Sequence, residues 1–259
     1  MRKLSAALLL FLFSHGAAAI PDGQALLEYS DAVRNPDRSF RLTVLLTSYK
    51  DEHLNQTTSL VLYSRADPNK GQYRSLLHFT NPSRDAGKLT LKNGKDLWIF
   101  DPRSKASVPI SPQQRLLGQA ANGDVVTANW GLDYTVTGVT EESILDGDRI
   151  RRDSYKLDLK ARRPDVTYDT MELWIDKDGY RTRKAKFYAA SKALLKTAYY
   201  RSYRNALGRD RPTETIIIDG VNSKWVTIMR YDDFAWQDVP DAWLQRDYLP
   251  RFQPVYRAE

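Results

Sequence analysis

Apolar and polar residues alternate along most of this chain. Over residues 40–47, Phe40, Leu42, Val44 and Leu46 fall on one side and Arg41, Thr43, Leu45 and Thr47 on the other. A period of two is that of a half-buried strand. Residues 59–63, 72–80, 88–91, 96–100, 155–160, 170–175, 183–189, 194–199, 213–218 and 224–230 read as further strands. Turn residues punctuate them. Asn93-Gly94 is a tight-hairpin pair, Asp176-Lys177-Asp178-Gly179 another hairpin turn, and Asn81-Pro82 and Asp101-Pro102 are stops. Three segments read as helix. In residues 22–34, Asp22 serves as N-cap, Ala25, Leu26, Tyr29, Ala32 and Val33 recur at helical spacing, and Asn35-Pro36 ends the run. Residues 111–122 start with Ser111 as cap and Pro112 at the first helical position. Residues 239–245 form the third.

Strands that follow one another without helices between them predict an antiparallel meander rather than parallel crossover units. The pattern therefore predicts a mainly β (α+β) protein with about 10–11 strands in one sheet. A twisted sheet of that size cannot stay flat; it must curl or close. Its inward side would carry Leu42, Val44, Leu46, Leu60, Leu62, Leu77, Phe79, Ile99, Leu157, Leu159, Leu173, Ile175 and Phe187, with Leu116 and Leu117 on the mid-chain helix above them. Alternation alone does not separate a filled interior from a hollow one.

The two ends and the composition narrow the setting. Met1-Arg2-Lys3 is a short positive stretch, residues 4–13 are apolar apart from Ser5, and Ala17-Ala18-Ala19 supplies small residues. This is the layout of a secretory signal peptide over residues 1–19. Its apolar core is about half the length that spans a bilayer. The expected mature unit is a single domain, residues 20–259, working in the periplasm of a Gram-negative bacterium. The chain has no cysteine, which excludes a lipoprotein anchor, disulfides and thiolate metal sites. A formal net charge of +7 is dispersed among acidic residues, without the basic tract that nucleic-acid binding requires. It suits at most transient contact with anionic lipid.

Catalytic material is sparse. Beyond the leader, the histidines are His53, read as part of a hairpin loop, and His78, on a strand; no Gly-x-Ser-x-Gly elbow occurs. Asp176, Asp178 and Gly179 lack the spacing and final glutamate of a calcium loop. No catalytic residue, metal or cofactor is expected.

Several stretches carry a family resemblance. Residues 96–105 (Asp-Leu-Trp-Ile-Phe-Asp-Pro-Arg-Ser-Lys), 109–118 (Pro-Ile-Ser-Pro-Gln-Gln-Arg-Leu-Leu-Gly), 122–125, 170–176, 188–197 and Arg211-Pro212-Thr213 resemble the outer-membrane lipoprotein-sorting family of LolA- and LolB-like proteins. The resemblance implies an unclosed antiparallel β-barrel with covering helices over a hydrophobic cavity. It also implies a carrier that takes lipoprotein acyl chains or other lipid as cargo, with an inner-membrane transporter or an outer-membrane acceptor as partner. Within that frame Leu42, Val44, Leu46, Leu60, Leu62, Leu77, Phe79, Ile99, Leu116, Leu117, Leu157, Leu173 and Phe187 are the candidate cavity residues. Arg115, beside Leu116 and Leu117, is the candidate latch of the lid. A lipid-sensing regulator of a membrane partner is the alternative, and an enzyme acting on envelope lipids ranks last.

Overall fold

Strand pairing follows chain order almost throughout. The computed structural model describes residues 21–67, 69 and 71–254, so the leader segment lies outside the described residues. After helix α1 (Gly23–Arg34) come β1 (Phe40–Lys50), β2 (His53–Arg65), β3 (Arg74–Asn81), β4 (Leu89–Asn93), β5 (Asp96–Asp101) and β6 (Ala106–Pro109). A connection then carries β7 (Arg115–Leu117), β8 (Ala120–Ala121), α2 (Asn122–Val125) and α3 (Trp130–Asp133). The chain returns through β9 (Tyr134–Leu145), β10 (Arg151–Ala161), β11 (Thr170–Asp176), β12 (Thr182–Tyr188), β13 (Leu194–Ala206), β14 (Arg209–Asp219) and β15 (Trp225–Trp236). Two 3-10 turns, Asp241–Leu244 and Arg246–Arg251, close it.

Thirteen strands form one sheet in the order β6-β5-β4-β3-β2-β1-β15-β14-β13-β12-β11-β10-β9. Every neighbour in it pairs antiparallel, and the long β1–β15 ladder joins the two halves. The sheet is strongly curled. Leu97 of β5 and Leu157 of β10, each next to an opposite edge, belong to one buried cluster together with Leu26 and Leu27 of α1. Yet β6 and β9 do not pair, so the barrel is unclosed, as expected. The sheet exceeds the predicted count by β6 and β9, whose exposed residues give little alternation.

The segment between these two edge strands passes over the concave face and covers it. Here the structure corrects a prediction: residues 111–122 are not a helix but a two-stranded hairpin, β7–β8, leading into the single turn α2. Ser-Pro is a sound helix start, but the packing overrides it. Gly118 takes the left-handed conformation (φ +54°), and a Cβ there would stand 2.3 Å from Thr227 Oγ1 and 2.7 Å from Ser48 Cβ. The hairpin tip thus presses onto β1 and β15, where the Gln119 N–H donates to Thr227 Oγ1 at 2.8 Å. Arg115 consequently sits on a short strand, not on a lid helix.

The third predicted helix is likewise replaced, by the two 3-10 turns. They strap the convex face of β2–β5, where Val239, Trp243, Leu244 and Leu249 bury Tyr63, Leu76, Leu89, Leu91 and Phe100. α1 matches its prediction, with the Asp22 carboxylate accepting from the Gln24 N–H at 3.1 Å.

Candidate functional site

Beneath the cover lies a chamber of about 130 Å³. Its apolar wall comes from Phe40, Leu42, Leu62, Phe187, Ile217, Met229 and Phe234, and its roof from Val125, Val126, Val166 and Tyr168. A second, wider hollow of about 900 Å³ lies outside it, lined by Glu28, Asp31, Asp37, Arg38, Asp67, Arg209 and Trp236 among others. Asn35 and Arg211 line both spaces, so the outer hollow, with more charged residues on its walls, adjoins the apolar chamber as a vestibule.

Besides the hairpin tip on β1 and β15, side chains tie the cover down on three sides. On the β13 side, the Lys196 ammonium pairs with Asp124 of α2 and donates to the Gln119 carbonyl at 3.1 Å. Asp124 also accepts from the Tyr168 hydroxyl at 2.7 Å. The Lys196 side chain is 5% exposed. Burial pushes its ammonium below the ordinary lysine range, against the opposing pull of Asp124.

On the α1 side, Arg34 pairs with Asp31, donates to the Ala128 carbonyl at 2.8 Å, and stacks 3.7 Å from the centre of the Trp130 ring. Asn35 donates to the same carbonyl at 2.9 Å, and the Gly131 N–H donates to Asp31 at 2.7 Å. Burial pushes the Asp31 carboxyl up, with the Arg34 charge and the Gly131 N–H opposing it. On the β2 side, the Ser64 hydroxyl donates to Thr127 Oγ1 at 2.9 Å, while Gln72 exchanges hydrogen bonds with the Asn129 backbone at 2.7 and 2.9 Å.

Of the residues expected to line a cavity, Leu42, Leu62 and Phe187 border the chamber. Val44, Leu46, Leu60, Leu77, Phe79, Leu117, Leu157, Leu159, Leu173 and Ile175 are in the same buried cluster but pack behind its wall. Leu116 is half-buried against that cluster, and Ile99 is half-buried outside it. Arg115 is 64% exposed and reaches only Asp219, at 3.9 Å. Arg34, at the C-terminus of α1, is an arginine that contacts the cover directly, at Ala128 and Trp130. Sequence reasoning missed it, together with Trp130, Tyr200 and Arg211. Two faint signals existed: an arginine just before the Asn35-Pro36 stop, and an Arg-Pro pair inside a strand. His53 is exposed at the start of β2, and His78 of β3 faces Phe252 of the C-terminal strap; neither lines the chamber. Among the described residues no group of three metal-ligating side chains occurs. None of the described helices is long and apolar enough to cross a membrane.

An open, curled antiparallel sheet whose edges are bridged by a cover over an apolar chamber defines the LolA type of unclosed barrel. A LolA superfamily protein from Nitrosomonas europaea superposes with a TM-score of 0.77 at 35% identity, over 87% of this chain and 98% of that one. A DUF1329 family protein from Desulfovibrio piger gives 0.73 at 18% identity, over 88% and 97%. A domain classed with outer membrane lipoprotein-sorting proteins, from Vibrio parahaemolyticus, gives 0.72 at 19%, over 88% and 98%. The chain belongs to the LolA superfamily, and the family model that matches it, over residues 71–251, is that of the DUF1329 family, described as uncharacterized protein. No curated protein matches the sequence.

Proposed function

We propose that this protein is a periplasmic carrier that shelters the acyl chain of a lipoprotein or another lipid during outer-membrane lipid sorting. The observation that carries this reading is the chamber: mainly apolar, roofed by the connection between two unpaired sheet edges, and adjoined by a charged vestibule. Its present size sets the mechanism. A cavity of about 150 Å³ accommodates benzene, so about 130 Å³ admits only the end of an acyl chain while the cover is closed. Entry of a whole chain requires the cover to lift. The energetics permit it. Each buried methylene contributes about 0.8 kcal/mol, whereas each hydrogen bond broken in the cover costs about 1 kcal/mol net. A dodecanoyl chain taken from water therefore offsets the loss of several of them; a chain drawn from a bilayer gains little by the move, so for it the transporter has to supply the opening energy. An inner-membrane transporter would load the carrier and an outer-membrane acceptor would unload it, with no cofactor on the carrier itself. The test is lipid analysis by mass spectrometry of protein purified without detergent, together with uptake of a fluorescent acylated probe. Bound lipid and saturable uptake are expected; absence of both overturns the reading.

A further inference from the structure

The charged groups that line the chamber do not balance one another within the protein. Asp124 is paired with Lys196, Asp133 with Arg163, and Arg34 with Asp31. Arg211 has no carboxylate within ion-pair distance among the described residues, although it is only 3% exposed. Its guanidinium makes two hydrogen bonds, Nε to the Ala206 carbonyl at 3.0 Å and Nη1 to the Val33 carbonyl at 2.7 Å. A guanidinium carries five N–H donors; Nη2 makes no hydrogen bond among the described residues and is not sealed from solvent. Burial and the neighbouring Arg209 charge push the Arg211 guanidinium down to about 10, a sign of how poorly its charge is compensated. Two further groups on the chamber wall have unused hydrogen-bonding capacity. The Nε of Arg34 is buried without a partner, and the Tyr200 hydroxyl makes no hydrogen bond among the described residues. These two share a contact: Arg34 stacks on Trp130, and Tyr200 meets the edge of the same ring with centroids 6.3 Å apart. Arg211 is tied to the backbone one residue before Arg34.

We infer that Arg211, Arg34 and Tyr200 form an anion subsite at the throat between vestibule and chamber, and that the cargo is an acyl amphiphile ending in a carboxylate or a phosphate. This rests on the carrier reading and names the chemistry of its cargo. The tail enters the apolar chamber. The head stops at the throat, because Arg211 Nη2, Arg34 Nε and the Tyr200 hydroxyl there keep hydrogen-bonding capacity that an anionic oxygen can use. A buried positive charge without a counter-ion is costly to keep, and a charge-assisted hydrogen bond to an anion is among the strong ones. The vestibule beyond adds no attraction for an anion: Glu28, Asp31, Asp37 and Asp67 there outnumber Arg38 and Arg209. Selectivity therefore belongs to the throat.

The experiment is calorimetric titration of the purified mature protein with dodecyl phosphate, dodecanoate, monolauroylglycerol and inorganic phosphate. The two anionic amphiphiles should bind at least about tenfold more tightly than the neutral one. Arg211→Met should abolish that preference while retaining affinity for monolauroylglycerol. Arg34→Gln, which keeps a shorter donor, should reduce the preference; it gives a second variant should Arg211→Met fold poorly. Equal binding of charged and neutral amphiphiles by the unaltered protein overturns the subsite and leaves the carrier reading standing. Retention of the preference in a folded Arg211→Met variant also overturns it. Inorganic phosphate binding as tightly as dodecyl phosphate assigns the throat to a free anion and refutes the amphiphile. Binding of no amphiphile at all overturns both readings.

Discussion

If the cover must lift, tying it down should stop loading. Ser64 on β2 and Thr127 on the cover place their hydroxyl oxygens 2.9 Å apart. Both are chemically close to cysteine, and the chain has no cysteine of its own, so Ser64→Cys with Thr127→Cys creates a single defined pair. The two positions are separated by 63 residues. Closing a loop of that length removes chain entropy worth about 4 kcal/mol at 25 °C. For a chain of this size that corresponds to a rise in Tm of roughly 10 °C, which reports that the bond has formed without strain. Uptake of a fluorescent dodecanoyl probe is then followed in oxidised protein and after reduction. The oxidised form should load at less than about a tenth of the unaltered rate, since a lost tenfold corresponds to only about 1.4 kcal/mol of opening free energy. Reduction should restore it. A crosslinked protein with the expected Tm that still loads at full speed refutes the lifting cover, because Thr127 would then never leave β2.

Three further outcomes follow from the same contacts. Asp124→Asn leaves the Lys196 ammonium buried with no carboxylate and should cost about 3–5 kcal/mol in urea unfolding. Lys196→Met should cost less, because Asp124 keeps the Tyr168 hydroxyl and the Ala121 N–H, and the double variant should fall short of the sum. Asp146 should govern part of the acid limb. Burial alone would push its carboxyl up, but the Ile150 and Asp148 N–H groups and Arg152 hold it below its ordinary 3.8. The unfolded chain therefore takes up that proton more readily, and the stabilisation is complete above the ordinary value and lost as pH falls through the lower folded value. Asp146→Asn should flatten the acid dependence measured by thermal unfolding across that range. Trp243→Ala should cost about 3–5 kcal/mol and increase binding of an apolar dye, because Tyr63 and Phe252 lose the ring they pack against.

The strands were legible where one face is buried and the other wet. β1 shows it best: Phe40, Leu42, Val44 and Leu46 are all buried in the order their spacing implied. β9 escaped because it is an edge strand: it alternates only over Tyr134–Thr137, and beyond the irregularity at Gly138 most of its residues are exposed. The hairpin around Gly118 escaped for another reason. Its local signals are those of a helix start, and the contact with Ser48 and Thr227 that overrides them joins residues far apart in the chain. The polar part of the site was illegible for the same cause. Arg34, Trp130, Tyr200 and Arg211 come from four separate segments, and only the curl of the sheet brings them to one throat. The apolar candidates show the complementary failing. Period two places Leu42 and Leu173 on the same face, but it does not tell which borders empty space and which is packed solid.

The gap between β6 and β9 has a mechanical consequence. A closed barrel has a fixed circumference, and widening it means tearing a row of main-chain hydrogen bonds. Among the described residues the perimeter is completed by the cover, whose ties to the wall are chiefly side-chain contacts at separate points. The two free margins can spread while all twelve ladders stay zipped. For the proposed carrier this means that the occupant would set the interior volume, and one scaffold would fit tails of different girth without refolding.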